Sequence, residues 1–326
     1  VGVVRAHAER GESTTDLIRL AQRRALERGV TCVHDMVRRS GAPRVYRELD
    51  RTGELDLRVR LNYWRDHLDA IDELGLRTNH GSDFVAFGAI KSFSDGAIGG
   101  RTAKVSEPFA DGEGRGTWVV EPDTLQALVD RADDAGHQLT IHAIGDEAIG
   151  TVLELLASTD DPRGSRHRIE HVELPTEDHI ERFADVGIIA SMQPNFLKWA
   201  DEDGLYDSRL GEVRSRASNP LRSLVDAGVS VAFGSDGMPV GPFIGIHWAV
   251  NARDPRQRLS VDEAIEAYTL GGAYAGFDED RLGSIEPGKC ADLVILERSP
   301  WDHPDAIDEI EVWRTIVDGE VVYAAE

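Results

Sequence analysis

Lysine is nearly missing from this chain. Of the 36 basic residues among 326, only Lys91, Lys104, Lys198 and Lys289 are lysines, so arginine carries almost all the positive charge. Aspartate and glutamate number 59, giving a net charge of −23, which repels nucleic acid and anionic membranes over most of the surface. Neither is expected as a partner. The two cysteines, Cys32 and Cys290, lie far apart without metal-type spacing, which reads as a reduced intracellular protein with two buried thiols. No apolar run is long enough to span a bilayer, and the opening VGVVRAHAERGES lacks the basic-then-apolar order of a signal peptide. A cytoplasmic protein is expected. Internal repeats and low-complexity stretches are absent, and no Gly-Lys-Ser/Thr ending follows Gly112, Gly114 and Gly116, which excludes a phosphate loop there. The carboxylate-rich, lysine-poor composition points to a salt-loving source, where acidic side chains keep a protein hydrated.

With 41% hydrophobic and 29% charged residues, the chain is long enough for one large globular unit and an appendage. Strand-like and amphipathic runs alternate along it. A helix is expected over Thr15–Arg28, where Leu17, Leu20, Ala21 and Ala25 recur at helical spacing, and Gly29 ends it. The strand VTCVHDM follows, then a helix near Pro43–Arg51, a strand at Leu57–Tyr63 and a short helix near His67–Leu74. Further strands close on Lys91, His142 and His171, with helices at Pro122–Ala135, Glu147–Ala157 and Thr176–Val186. Strand Gly187–Gln193 leads through a longer loop to a helix at Asn219–Ala227, and strand Val229–Ser235 through another to a helix at Val261–Tyr268. Such alternation implies a parallel sheet covered by helices, an α/β fold of the (β/α)8 barrel type with seven strands visible. Beyond Gly276 the pattern changes to short strands joined by tight turns, with Asp318-Gly319 a hairpin signal. Residues 1–279 are therefore expected to form the barrel and 280–326 a small β appendage.

Four of the strand-like runs end on residues able to bind a metal: Lys91, His142, His171 and Asp236. In a barrel, the C-terminal strand ends converge on one mouth. Lys91 interrupts the apolar run VAFGAIKSF; a lysine buried there becomes neutral more readily, which suits a nucleophile or an acceptor of carbon dioxide, unless it simply pairs with Asp95. A single strand-end histidine is more often a hydrogen-bonded structural residue, but His142 and His171 occupy consecutive units and can reach a common ion. Asp236 in GSDG is either a turn former, a metal ligand or a proton-transfer base. Secondary candidates are His34 and Asp35, ending the first visible strand at the same mouth, and Gln193 and Asn195 as pocket lining. Arg101 and Thr102, in the glycine-rich excursion Gly96–Gly116, are candidates for a lid unless that loop is merely mobile.

The segments GAIKSFSDGAIGGRTA, LTIHAIGDEAI, HRIEHVEL, SMQPNF, AFGSDGMPV and GSIEPGKCADLVILE, in that order, together resemble the metal-dependent amidohydrolase superfamily in its amidohydrolase 3 (YtcJ-like) branch. The likeness runs from about Thr14 to Glu326. It implies a distorted TIM barrel carrying a small β-sandwich, with one or two divalent ions at the mouth, zinc foremost. It further implies that Lys91 is carboxylated and bridges the ions, and that His142 and His171 bind the more exposed one. Asp236 would bind the buried ion and shuttle a proton, making Asp236 and His171 the expected catalytic residues; apart from the resemblance, His34, Asp95, Arg101 and Gln193 are secondary candidates to surround substrate or ligands. Members carry a His-X-His pair at the end of their first barrel strand, and no His-X-His occurs here. The seven strands then correspond to the second through the eighth, and residues 280–326 to part of the sandwich. With valine at position 1, the chain is expected to begin inside a longer product or to be a shortened member, with weak or no activity by itself.

The reaction so implied is hydrolysis of a C–N bond in an amide, N-acyl or N-formyl compound by metal-activated water. Two other readings compete. One is a non-catalytic protein that keeps the barrel as a scaffold, as in members linked to exoenzyme regulation. The other is a metal-free glycosidase barrel drawing its carboxylate pair from Asp95, Glu170 and Asp236; it leaves Lys91 and both histidines unexplained. A small molecule is the expected ligand, the metal could equally be iron, manganese or nickel, and self-association into a homo-oligomer is left open.

Overall fold

Seven strands pair in parallel, each beside its predecessor: β1 (Cys32–Val37), β2 (Arg58–Trp64), β3 (Val85–Phe93), β4 (Leu139–Ala143), β5 (Arg168–His171), β6 (Ile189–Met192) and β7 (Val231–Phe233). The computed structural model describes residues 13–39 and 41–326. The helices are α1 (Thr14–Leu26), α2 (Ala42–Thr52), α3 (Leu68–Glu73), α4 (Pro122–Asp134), α5 (Asp146–Ala157), α6 (Glu177–Val186), α7 (Leu205–Leu210), α8 (Glu212–Ala217), α9 (Leu221–Asp226), α10 (Pro242–Val250), α11 (Val261–Tyr268) and α12 (Leu270–Ala275). Every expected strand is present. Among the described residues no helix is long and apolar enough to cross a membrane.

The strands are buried on both faces, yet they are not apolar throughout. Val59 and Leu61 of β2, Leu139 and Ile141 of β4 and Ile169 of β5 join the main hydrophobic core, which the helices complete. Their alternating neighbours Arg58, Arg60, Asn62, Thr140, His142, Arg168 and Glu170 are buried too and occupy the other face. That polar face is concave. Adjacent strands lie about 4.8 Å apart, so β1 and β5 would be roughly 19 Å apart in a flat sheet; instead Arg168 Nη1 meets His34 Nδ1 at 2.7 Å. The sheet is therefore curled into a half-barrel. Its two edges, β1 and β7, do not pair.

A bulge between β2 and β3 sets the register of the candidate lysine. Pairing runs from Val59↔Val85 to Leu61↔Phe87, then slips to Tyr63↔Ile90 and Trp64↔Lys91. The Ala89 N–H that the slip leaves without a ladder partner donates to Asn62 Oδ1 at 2.8 Å. Gly88 makes room, since a Cβ there would stand 2.5 Å from that oxygen.

The appendage is a three-stranded antiparallel sheet, β8 (Leu293–Leu296), β9 (Val312–Val317) and β10 (Glu320–Ala324), in the order β10-β9-β8. Asp318 (φ 53°) and Gly319 (φ 85°) turn β9 into β10, the left-handed pair expected of this hairpin. Arg58, fully buried at the start of β2, clamps Asp292 through Nε at 2.7 Å and Nη2 at 3.0 Å. Thr315 donates to the Leu26 carbonyl, tying the sheet to the end of α1.

Several elements depart from the sequence reading. The loop after β6 contains a 3-10 stretch, Pro194–Trp199, together with α7 and α8. Helix α10 lies where the sequence pattern predicts a loop, because PFIGIHWAV is apolar nearly throughout and lacks helical periodicity. The two cysteines are free and half-buried, not fully buried.

Candidate metal centre

The curl brings the C-terminal ends of β3, β4, β5 and β7 around one cavity of about 1210 Å³, whose lining includes Lys91, His142, His171, Gln193, Asp236 and His34. Its lining also includes Val33 of β1 and Phe233 of β7, on the two unpaired sheet edges. The residues of β1 are mostly half-buried, whereas those of β2 are buried almost without exception.

Lys91 is 3% exposed. Its Nζ lies 4.8 Å from the centre of the Phe93 ring and forms no ion pair among the described residues. Burial pulls its pKa down to about 8, with Glu170 opposing. The alternative partner is engaged elsewhere: the buried Asp95 carboxylate accepts from the backbone N–H groups of Lys104, Ile144 and Gly145. Burial still pushes Asp95 up to about 6.

His142 and His171 meet with ring centroids 4.4 Å apart. His142 Nε2 lies 2.7 Å from the Gly96 carbonyl, to which only a protonated nitrogen can donate, so Nδ1 keeps the lone pair. That Nδ1, and the Nδ1 of His171, are buried with no hydrogen-bond partner. His171 (φ 80°) and Val172 (φ 51°) both adopt the left-handed region at the end of β5, a conformation unfavourable for a β-branched residue and characteristic of constrained sites. Burial first, and Lys91 second, lower the His171 pKa to about 3; His142 is driven well below its usual value by burial and then by His171. Both rings are neutral, the form that donates a lone pair to a metal.

Asp236 (φ 47°) and Gly237 (φ 67°) form a left-handed turn just beyond β7, so the turn-forming role holds whatever else the side chain does. Asp236 lines the cavity, where desolvation raises its carboxyl pKa and Lys91 pulls the other way. Gln193 is 5% exposed; its Nε2 donates to the Ser191 carbonyl at 3.2 Å, and its Oε1 has no partner.

His34 does not end its strand. It stands mid-way along β1, deeper in the barrel, where burial and then Arg168 lower its pKa to about 3. Asp35 points to the Tyr46 hydroxyl at 3.0 Å. Arg101 is exposed, binds Asp111 through two hydrogen bonds and is not part of the cavity lining. Its loop is anchored by Asp95, by Lys104–Glu147 and by Ser106–Asp146.

Sequence reasoning named Glu170 only for the glycosidase reading and missed the buried charge cluster to which it belongs. Glu170 accepts from Thr140 and from Ser191 and pairs with Arg168 at 2.9 Å. Polar residues alternating with apolar ones inside buried strands, as in RVRLN, LTIH and RIEH, were the available signal. Glu173 was also missed: it is buried, shares a hydrogen bond with Tyr206 and is pushed up to about 7 by desolvation.

A curled parallel sheet with helices outside and candidate residues at its C-terminal strand ends is of the TIM-barrel class. The amidohydrolase family model matches residues 2–323, and the chain belongs to that family. It is 32% identical over 271 residues to YtcJ of Bacillus subtilis, a protein named as an amidohydrolase, covering 79% of this chain and 51% of that one. It is 28% identical over 318 residues to the N-substituted formamide deformylase of Arthrobacter pascens, covering 90% of this chain and 57% of the relative. An uncharacterized metal-dependent hydrolase from Pyrococcus furiosus superposes with a TM-score of 0.79 at 32% identity, covering 88% of this chain and 60% of that structure. The chain thus spans about half the length of these two sequence relatives.

Proposed function

We propose that this chain carries part of a metal-dependent hydrolytic site for C–N bonds of amide, N-acyl or N-formyl compounds. One observation carries the reading: two neutral histidines in ring contact, each with a buried, partnerless Nδ1, stand beside an unpaired lysine. The donor set fits a divalent ion such as zinc, with His142 and His171 as nitrogen donors. Among the described residues no three His, Cys, Asp or Glu side chains gather as a metal site, and the buried Lys91 is taken as the third donor. With a pKa of about 8, roughly a tenth of that amine is neutral at pH 7. Its lone pair can add to carbon dioxide with release of one proton, which turns the amine into an anionic oxygen donor.

A divalent ion held there would acidify a water and polarise the scissile carbonyl. Asp236, which lines the cavity, accepts the proton of the attacking water on a carboxylate oxygen and returns it to the leaving nitrogen. Gln193, whose amide oxygen is free, positions groups beside His171. The N-substituted formamide deformylase among the relatives supports the N-formyl end of the substrate range. The glycosidase reading is disfavoured because Asp95 and Glu170 are saturated by fixed donors and cannot exchange protons freely with a sugar. The test is hydrolysis of a panel of N-acyl and N-formyl amines by the zinc-loaded chain, alongside its metal content. Absence of both metal uptake and turnover would favour the scaffold reading.

A further inference from the structure

Seven rings form an unbroken band along the strand ends. Trp64 stacks on Phe93 at 5.3 Å between centroids, Phe93 lies 4.5 Å from His142, and His171 stacks on Phe196 at 5.7 Å. Phe196 continues to Trp199 at 4.8 Å, and Trp199 to Tyr206 at 6.2 Å. All line the cavity. Phe196 and Tyr206, 7% and 3% exposed, are packed into the cavity wall, whereas Trp64, Phe93 and Trp199 keep part of their surface open. Met238 and Leu205, 37% and 38% exposed, face the same space. In a chain of net charge −23, the half-open rings of Trp64, Phe93 and Trp199, backed by buried members of the band and set on either side of the two candidate metal-binding histidines, give the cavity an apolar wall on which a ligand can be recognised.

We propose that this band is an aromatic subsite, and that the compound whose C–N bond is cleaved carries a flat, uncharged aryl substituent on its acyl or amine side. This rests on the hydrolase reading for the nature of the bond, but the subsite itself does not. Flat rings gain from offset and edge contacts with ring neighbours beyond what their area gives. Arg38 lies over Trp64 at 5.3 Å, at the outer end of the band.

The test uses ketones, which present the carbonyl and have no C–N bond, so their binding is blind to turnover. Acetone, cyclohexylacetone and phenylacetone are titrated into the purified chain by calorimetry, with tryptophan fluorescence as a second readout. Burial of a ring-sized group predicts that phenylacetone binds about 10- to 100-fold more tightly than acetone, and more tightly than cyclohexylacetone. Trp199→Leu and Trp64→Leu, checked for native circular dichroism, are each expected to reduce that preference at least about threefold. Equal binding of phenylacetone and acetone overturns the subsite, as does cyclohexylacetone matching phenylacetone, or a preference unchanged in both variants. Retained preference in a chain that takes up no zinc leaves the subsite standing and removes the hydrolase reading.

Discussion

His142 and His171 face each other across 4.4 Å with both Nδ1 atoms buried and unpartnered, and His142 is held in one tautomer by the Gly96 carbonyl. Nitrogen chemical shifts of the metal-free chain are expected to show a protonated Nε2 and a bare Nδ1 on His142. Because His171 titrates near 3 in the fold, its ring is expected to stay neutral at pH 5, where a free histidine is mostly charged. The sign for stability follows: a buried neutral histidine contributes nothing adverse above pH 6.5 and destabilises as pH falls from there toward 3. His171→Asn is therefore expected to flatten the acid limb of the stability profile. An unchanged limb would show that the ring is not buried as a neutral base.

Glu173 has the opposite sign. Its carboxyl is pushed up to about 7, so stability is lost as pH rises from the ordinary glutamate range through 7. Glu173→Gln keeps the shape and a hydrogen bond to Tyr206 without the charge. It is expected to stabilise the chain by about 1–3 kcal/mol at pH 8 and by little at pH 4, read from urea unfolding. A gain that is equal at both pH values would contradict the burial of an ionisable carboxyl there.

Gly88 tests the bulge that aims Lys91. A Cβ at that position would sit 2.5 Å from Asn62 Oδ1, so Gly88→Ala is expected to cost about 2–4 kcal/mol by overpacking and by freeing the Ala89 N–H. A cost below about 0.5 kcal/mol, the range of ordinary surface changes, would mean that the bulge is not held as described.

The composition also carries an expectation. With a net charge of −23 and arginine in place of lysine, self-repulsion is strong at low ionic strength and is screened by salt. The unfolding midpoint is expected to rise from low to molar potassium chloride. A flat or falling midpoint removes the salt-loving reading.

Much of the fold was legible because periodicity changes sharply at its boundaries: VTCVHDM, the Lys91 run and HRIEH each sit between turn residues and amphipathic helices. The ends of the strands were less so. His34 read as a terminus but stands mid-strand, since β1 continues to Val37. Helix α10 was invisible because a segment apolar nearly all round has no helical period to detect. At the site, Lys91, His142, His171 and Asp236 were readable as polar residues closing apolar runs, and the cavity gathers all four. Arg101 was not readable: its exposed ion pair with Asp111 is a tertiary contact with no local signature. The same holds for the aromatic band, whose rings come from six separate elements.

The most direct measurement is zinc titration of the chelator-stripped chain by calorimetry, in bicarbonate buffer and with His142→Ala, His171→Ala and Lys91→Ala beside the parent. Binding to the parent that weakens about 100-fold in each histidine variant, and that depends on bicarbonate only while Lys91 is present, is the expected result. No zinc binding by the parent, or binding that survives loss of both histidines, would contradict a metal centre at these strand ends.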